Sequence, residues 1–296
     1  MNSKKPAGWL VDLSLVAVAL IWGATFVLVK RALADVSTLL FLTLRFTIAA
    51  AALALLFHRE LRGANLARNL RGGMLAGLCL FCGYVLQTAG LRYTSASKTG
   101  FITGLYIPLV PLFSAAIYKR IPKLMELAGV AVAFCGLALM TIERDVLDIG
   151  RGDLLVAGCA VAYAFHILVL GRFAKETGAG LLALTQIATG AVLGGATFWW
   201  AEPVRIRWTS DVAIALAVTS LLATAFAFFV QSWAQRWSSP TRTVLIFSME
   251  PVFAWVTSYL VAGELLSRRG TVGAVLILAG ILLVELKPRR ANPDSN

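Results

Sequence analysis

Charged and catalytic side chains are scarce in this chain of 296 residues. Only 14% of its residues are charged, whereas a soluble domain has about 25%. Its two histidines, His58 and His166, lie far apart, and the phosphate-binding GxxxxGK(S/T), zinc-protease HExxH and hydrolase GxSxG motifs are absent. These absences argue against ATP-driven, metal-dependent or serine-hydrolase chemistry. We therefore expect no catalytic residues, no metal site and no cofactor, and we interpret the chain as a protein other than an enzyme.

Long apolar runs take the place of the missing charge. Hydrophobic residues make up 59% of the chain, and they fall into ten runs close to the roughly 20 residues that a helix needs to cross a bilayer. The sequence thus predicts an all-α polytopic membrane protein with ten transmembrane helices. The predicted spans are 11–30, 37–57, 69–91, 97–118, 124–142, 152–171, 180–201, 211–235, 241–263 and 269–286.

The second half of the sequence repeats the first. Asp12 and Trp22 match Asp153 and Tyr163 at an offset of 141 residues. At an offset of 144, Gln87, Arg92, Tyr93, Ser95, Lys98, Thr99, Gly129 and Gly136 match Gln231, Arg236, Trp237, Ser239, Arg242, Thr243, Gly273 and Gly280. We expect two repeats, residues 1–143 and 144–296, with five spans each. An odd number of spans places the copies in opposite orientations, an arrangement that many secondary transporters use to build a central cavity.

Basic residues give the chain a formal net charge of +12, but they are dispersed among the loops rather than gathered in a patch. If the N-terminus is cytoplasmic, 16 of the 27 Lys and Arg residues precede, follow or connect the spans on the cytoplasmic side. This excess follows the positive-inside rule. We therefore expect no nucleic-acid partner, a bacterial inner (plasma) membrane location and two cytoplasmic termini.

Three ionisable residues lie deep in predicted spans, where a charge is costly and often functional. Glu250 is suited to hold a substrate ammonium group or to take up a proton, although a structural acid bracing a broken helix is the alternative. His166 could contact solute or shuttle a proton, but a packing role remains open. Arg45 is expected to tie helices together, with direct substrate contact as the less favoured interpretation.

Prolines mark the expected breaks in two matching helices. Pro108 and Pro111 lie in the fourth span and Pro251 in the corresponding part of the ninth. A proline removes a backbone donor and frees a carbonyl one turn earlier, and such a defect is tolerated where protein or a cavity satisfies it. We predict that these three residues act as hinges; simple kinks are the alternative.

Aromatic and polar residues of several spans are expected to line a central cavity. Aromatic faces accept apolar groups and attract ammonium groups, and amides can orient a carboxylate. Such a lining suits small neutral or zwitterionic solutes better than polyanions, although each residue could instead face lipid or another helix. The predicted substrate-binding residues are Trp22, Thr25, Tyr84, Gln87, Tyr106, Tyr163, His166, Gln231, Ser248 and Glu250.

These residues resemble the duplicated EamA type of the drug/metabolite transporter superfamily. The residues that carry the likeness are Trp22-Gly23 with Phe26, Leu44-Arg45-Phe46, Glu250-Pro251-Val252-Phe253-Ala254 and Gly263-Glu264. Within the superfamily the chain is most similar to bacterial exporters of aromatic and neutral amino acids. The resemblance implies ten helices around a central cavity, alternating access and export from the cytoplasm. One departure concerns the charges of the two halves, which cannot be equivalent, because Ile107-Pro108 and Lys119-Arg120 stand where the second repeat has Glu250-Pro251 and Gly263-Glu264.

We therefore predict an exporter of amino acids and related small metabolites, with the lipid bilayer and a small-molecule substrate as its partners. Transport is either facilitated or coupled to protons through Glu250 or His166. The alternatives are a drug or sugar-derivative carrier and, from other classes, a non-transporting scaffold or a lipid-modifying enzyme. The sequence does not distinguish a monomer from a dimer.

Overall fold

Helices make up nearly all of the structure, a computed structural model that describes residues 6–60, 66–94, 96–119, 122–141, 150–262 and 267–285. The first seven helices are α1 (Gly8–Ala32), α2 (Thr38–Phe57), α3 (Leu66–Gly90), α4 (Ala96–Thr103), α5 (Tyr106–Tyr118), α6 (Leu124–Thr141) and α7 (Arg151–Phe173). The others are α8 (Ala179–Ala201), α9 (Ser210–Ser220), α10 (Ala227–Ala234), α11 (Pro240–Phe247), α12 (Glu250–Ala262) and α13 (Arg268–Glu285). A π-helical segment, Leu221–Phe226, joins α9 to α10.

Six helical stretches of the described residues are long and apolar enough to cross a membrane, and the chain is therefore a multi-pass membrane protein. They are Gly8–Ala32, Thr38–Phe57, Leu70–Gly90, Arg151–Phe173, Ala179–Ala201 and Ser210–Ala234. They coincide with predicted spans one, two, three, six, seven and eight. The predicted spans five and ten are the single helices α6 and α13, of 18 residues each. Spans four and nine are each divided into two helices, α4 with α5 and α11 with α12.

Both divided helices break just before a proline rather than at it. The first break lies between Thr103 and Tyr106, and the second between Phe247 and Glu250. In a regular helix the N–H of residue 108 would donate to the Gly104 carbonyl, four residues earlier. Proline has no N–H, so this bond cannot form; instead the Gly104 carbonyl accepts from the Ile107 N–H at 3.0 Å, which tightens the turn. Pro111, by contrast, lies inside α5.

Close glycine contacts bring the two halves together along α6 and α13. A Cβ atom on Gly136 would lie 2.5 Å from the Gly273 carbonyl oxygen, and one on Gly280 would lie 2.6 Å from that of Gly129. No larger residue fits this spacing without moving a backbone. α3 packs in a similar way on α8, where a Cβ on Gly77 would overlap the Gln186 carbonyl oxygen. Small residues are the usual means by which helices approach this closely in a membrane.

The loop before α2 is tied to the segment after α8. Val36 and Ile206 form an isolated β-bridge. The Glu202 carboxylate accepts from the backbone N–H groups of Thr38 and Leu40, both at 3.1 Å. A carboxylate at a helix N-terminus satisfies donors that have no partner inside the helix and interacts well with the helix dipole. This capping holds the N-terminal end of α2 next to the C-terminal end of α8.

Candidate functional site

A cavity of about 830 Å³, a volume that includes its open mouth, lies between the two halves of the chain. Nine of the ten predicted substrate-binding residues line it, namely Trp22, Thr25, Tyr84, Gln87, Tyr106, Tyr163, His166, Gln231 and Glu250. Ser248 is not among the described lining residues; it is buried, and its hydroxyl donates to the Leu245 carbonyl at 2.6 Å.

The π-helical segment supplies a backbone acceptor to this cavity wall. Its i→i+5 bonding leaves the regular pattern of the helix, as π segments at functional sites often do. The Trp22 indole N–H donates to the Ala223 carbonyl at 2.9 Å. Arg45 donates to the same carbonyl from Nη2 at 3.5 Å and to the Thr224 hydroxyl from Nε at 2.7 Å. The segment therefore orients both Trp22 and Arg45.

A chain of polar contacts continues from Arg45 along the cavity. The Tyr84 hydroxyl accepts from Arg45 Nη2 at 3.0 Å, and the rings of Tyr84 and Tyr163 meet edge to face at 5.8 Å. The Tyr163 hydroxyl donates to Gln87 Oε1 at 3.3 Å. Gln87 Nε2 in turn donates to the Thr103 hydroxyl at 3.1 Å. Thr103 is the last residue of α4, so this chain links the broken helix to α3 and α7.

His166 belongs to a buried hydrogen-bond network. Its Nε2 atom lies 2.8 Å from Gln186 Oε1. The Gln186 amide nitrogen donates to the Ser232 hydroxyl at 3.1 Å, and that hydroxyl donates to the Phe228 carbonyl at 2.6 Å. With the Gln186 oxygen facing the imidazole, Nε2 carries the hydrogen in this assignment. The network gives His166 a structural partner, while its ring remains part of the cavity wall.

Glu250 and Gln231 each have an acceptor oxygen with no partner among the described residues. Glu250 is half-buried at the first residue of α12, where the helix dipole favours a carboxylate. No described residue forms a hydrogen bond or an ion pair with its carboxyl group. Gln231 is 1% exposed, and its Oε1 atom has no hydrogen-bond partner in the described part of the chain. A solute that brings a donor would satisfy the Glu250 carboxyl group, whereas Gln231 Oε1 is sealed from solvent.

Thr25 and Tyr106 complete the predicted lining. The Thr25 hydroxyl donates to the Trp22 carbonyl at 3.0 Å, a bond within its own helix. Tyr106 is buried at the first turn of α5, immediately after the first helix break. Neither residue is charged, so both shape the cavity without adding charge to it.

The predicted hinges lie close to the cavity but have no described role in its lining. Pro108 and Pro111 are in the first half of α5. Pro251 is the second residue of α12, and its side chain lies outside the described residues. Arg120, Gly263 and Glu264, which the sequence comparison of the two halves singled out, also lie outside them.

Buried apolar side chains of α1 and α11 pack together toward the end of the bundle where α1 begins. Leu15, Val18 and Val244 are fully buried there. Beside them Arg242 forms two contacts with the Asp12 carboxylate, from Nε at 2.8 Å and from Nη2 at 2.5 Å. At the other end the lining extends to Val29 and Leu91, where α1 and α3 finish.

Several lining residues were not in the predicted set. Phe228 and Phe247 form an aromatic wall with Trp22, at ring distances of 5.4 and 4.9 Å. Arg45 and Thr103 add polar groups. A deep arginine is a clear sequence signal, whereas phenylalanines of the cavity and of the lipid face look alike. Among the described residues, no group of three His, Cys, Asp or Glu side chains is placed to hold a metal ion.

Comparison with known proteins decides the family. The family model described as "EamA-like transporter family" matches the chain twice, over residues 9–142 and 150–286. The chain belongs to this family. Since the two matches together span almost the whole chain, the family resemblance noted in the sequence is confirmed, and it indicates a transporter rather than an enzyme.

The relatives carry general names. An "Uncharacterized transporter" of Archaeoglobus fulgidus is 33% identical over 276 residues, which are 93% of this chain and 86% of the relative. The "Uncharacterized inner membrane transporter YedA" of Escherichia coli K12 is 23% identical over 92% of this chain and 90% of its own length. A solved crystal structure that is 20% identical superposes with a TM-score of 0.78, covering 95% of this chain and 98% of the other, and shares the fold.

Proposed function

We propose that the protein exports aromatic and neutral amino acids and related small metabolites across the bacterial inner membrane. The observation that carries this proposal is the composition of the cavity. Aromatic rings from α1, α10 and α11 line it beside the carboxyl group of Glu250. Aromatic faces bind apolar side chains, and a carboxylate with no protein partner suits an ammonium group. Amino acids combine both groups.

The geometry of the cavity supports alternating access between its two ends. Buried apolar side chains pack together where α1 begins, and the cavity lining extends toward the other end, to Val29 and Leu91. The divided helices α4–α5 and α11–α12 adjoin it, one from each half. In the proposed architecture, ten transmembrane helices form two inverted five-helix repeats, with both termini in the cytoplasm. Movement at the breaks beside Pro108 and Pro251 then closes one end as it opens the other.

A polyanionic substrate, such as a sugar phosphate, is the less favoured alternative. Polyanions are usually held by several basic residues. Arg45 is the one Lys or Arg side chain among the described lining residues. The aromatic rings and the carboxyl group of the lining also suit a drug-like cation, and the substrate assay should therefore include one.

Flux into liposomes tests the proposal. We expect purified protein reconstituted in liposomes to exchange radiolabelled phenylalanine and leucine, and Glu250→Gln to reduce this exchange. Glu176→Gln serves as the matched control, because Glu176 is an exposed carboxylate outside the cavity. Absence of amino-acid flux from correctly folded protein would overturn the proposal. Comparison with and without a pH gradient separates facilitated transport, which the gradient leaves unchanged, from proton exchange.

A further inference from the structure

We propose that Arg45 is the anchor for a carboxylate of the transported solute and thereby determines which charged solutes the cavity accepts. The inference rests on the proposed transport of amino acids, and it assigns the orientation of the solute within the same cavity. The carboxylate would lie against α2 and the π-helical segment, and the ammonium group toward Glu250 on α12.

The Arg45 guanidinium has a donor to spare. Nε donates to Thr224 at 2.7 Å, and Nη2 donates to Tyr84 and to the Ala223 carbonyl. A guanidinium has five N–H donors. No described residue accepts a hydrogen bond from Nη1, and this atom is not sealed from solvent. Since Arg45 belongs to the cavity lining, Nη1 is available to a solute.

The positive charge of Arg45 has no counter-charge in the described part of the chain. The side chain is 5% exposed, and no described carboxylate lies within ion-pair distance of it. A buried charge without a partner is costly. A solute carboxylate would supply the missing charge and accept a charge-assisted hydrogen bond from Nη1.

The guanidinium is also held in place before any solute arrives. Its carbon atom lies 4.7 Å from the centre of the Tyr84 ring, and Thr224 and Tyr84 fix two of its nitrogens. A donor that is already oriented loses little conformational freedom on binding. Binding energy is therefore available to distinguish a carboxylate from a neutral group.

Glu250 adds an unpaired carboxyl group to the cavity, whereas Arg45 adds an unpaired cation. Its carboxyl group likewise has no partner among the described residues and belongs to the same lining. One cation and one carboxylate on a single cavity balance the two charges of a zwitterion. A solute that lacks either charge leaves one of these groups unmatched, and this mismatch is the basis of the proposed selectivity.

Arg45 also links α2 to the π-helical segment, and this structural role must be separated from carboxylate binding. Three probes share an indole ring and differ in charge: L-tryptophan, tryptamine and indole-3-propionate. In wild-type proteoliposomes we measure how each inhibits the exchange of radiolabelled phenylalanine. We expect tryptophan to inhibit at least tenfold more strongly than tryptamine, because tryptamine has no carboxylate. Equal inhibition by the two would overturn the proposal without the use of any variant.

Two variants then test the assignment to Arg45. In Arg45→Gln, we expect the tenfold preference for tryptophan over tryptamine to disappear, because tryptamine suits a cavity that retains only Glu250. Arg45→Lys should keep part of the preference, whereas Arg172→Gln, at an exposed arginine, should keep all of it. If folded Arg45→Gln retains the wild-type ratio, the carboxylate is bound elsewhere and the proposal fails.

The outcome also distinguishes this inference from the proposed function. If no amino acid exchanges, the transport of amino acids is wrong, and the inference falls with it. If amino acids exchange but the probe ratio is unchanged by Arg45→Gln, only the role of Arg45 is wrong.

Discussion

Along the contact between α6 and α13 the two halves of the chain present the same residues to each other, whereas around the cavity two matched positions differ in charge. Gly136 faces Gly273, and Gly280 faces Gly129. The two contacts are equivalent with the halves exchanged. A Cβ added to Gly136 would lie 2.5 Å from the facing carbonyl oxygen, and one added to Gly280 would lie 2.6 Å from it. Close packing depends on shape, and two similar halves can supply the same shape to each other.

Two positions at the cavity differ in charge between the halves. Arg45 of the first half corresponds to Gln186 of the second, and Ile107 corresponds to Glu250. Arg45 and Glu250 line the cavity, whereas Gln186 is tied to His166 and Ser232. A solute with unlike ends requires unlike partners. The repeat thus provides a symmetric frame, and substitutions within it provide the binding chemistry.

The largest loss of stability is expected from breaking the symmetric contact. Gly136→Ala and Gly280→Ala would each place a Cβ against a backbone carbonyl, and overpacking of this kind costs about 1–3 kcal/mol. We expect similar losses for the two variants in thermal unfolding in detergent. Gly195→Ala is the control, because nothing lies within 4 Å of its added Cβ. A loss confined to one of the two glycines would contradict the symmetry of the contact.

A large but unequal effect is expected from the corresponding pair Glu250 and Ile107. Glu250→Gln removes a charge that faces the cavity, and hydrogen bonds to charged groups contribute about 1.5–3 kcal/mol. Amino-acid exchange should therefore fall about tenfold or more. Ile107→Val should cost about 0.5–1.5 kcal/mol of stability, as core truncations do, and leave exchange per folded molecule unchanged. Equal losses of exchange in the two variants would mean that the cavity does not distinguish the halves.

A smaller effect is expected at the aromatic pair Trp22 and Tyr163. Trp22→Phe removes a 2.9 Å bond to the carbonyl of the π-helical segment, at a cost of about 1 kcal/mol. Tyr163→Phe removes a longer, 3.3 Å contact with a side chain that has another partner. We therefore expect Trp22→Phe to lower the unfolding midpoint more. Trp233→Phe, in the same apolar cluster, controls for the loss of indole volume; a larger effect of Tyr163→Phe would refute the ranking.

The smallest effect is expected at the Asp12–Arg242 pair near the start of α1. The Asp12–Arg242 pair is partly exposed, with side chains 20% and 38% accessible, and pairs of this kind contribute about 0.2–1 kcal/mol. A double-mutant cycle with Asp12→Asn and Arg242→Gln should give a coupling free energy in this range, falling as salt is added. A coupling free energy well above about 1 kcal/mol, or one that does not change with salt, would contradict this prediction. The pair would then be a main stabilising contact rather than a support for the buried side chains beside it.

The candidate site was predictable where a residue is unusual for its surroundings. Glu250 and His166 are polar groups in apolar runs, and both line the cavity. Trp22 and Tyr163 were found because each half carries an aromatic residue at the same place. Phe228 and Phe247 were not, because an apolar ring carries no sign of whether it faces a cavity, another helix or lipid. Ser248 was placed in the set by position, but its hydroxyl bonds to the backbone one turn earlier.

The number of broken helices was predictable from the sequence, but the positions of the breaks were predictable only approximately. Proline guarantees a missing donor, so the prolines located the two divided helices. The breaks lie up to four residues before them, because the carbonyl that loses its partner is one turn earlier. Pro111 shows that the same residue type can also remain inside a helix.

The sequence by itself determined that the chain is helical and apolar, that its halves repeat, and that two matching helices are interrupted. These properties follow from hydrophobic run length and from the missing N–H of proline, which act on neighbouring residues. Only the tertiary structure decided that Arg45 meets Thr224, 179 residues away, and that a π-helical segment offers its carbonyl to Trp22. Contacts between distant residues depend on how several helices pack at once, and no local pattern in the sequence records that packing.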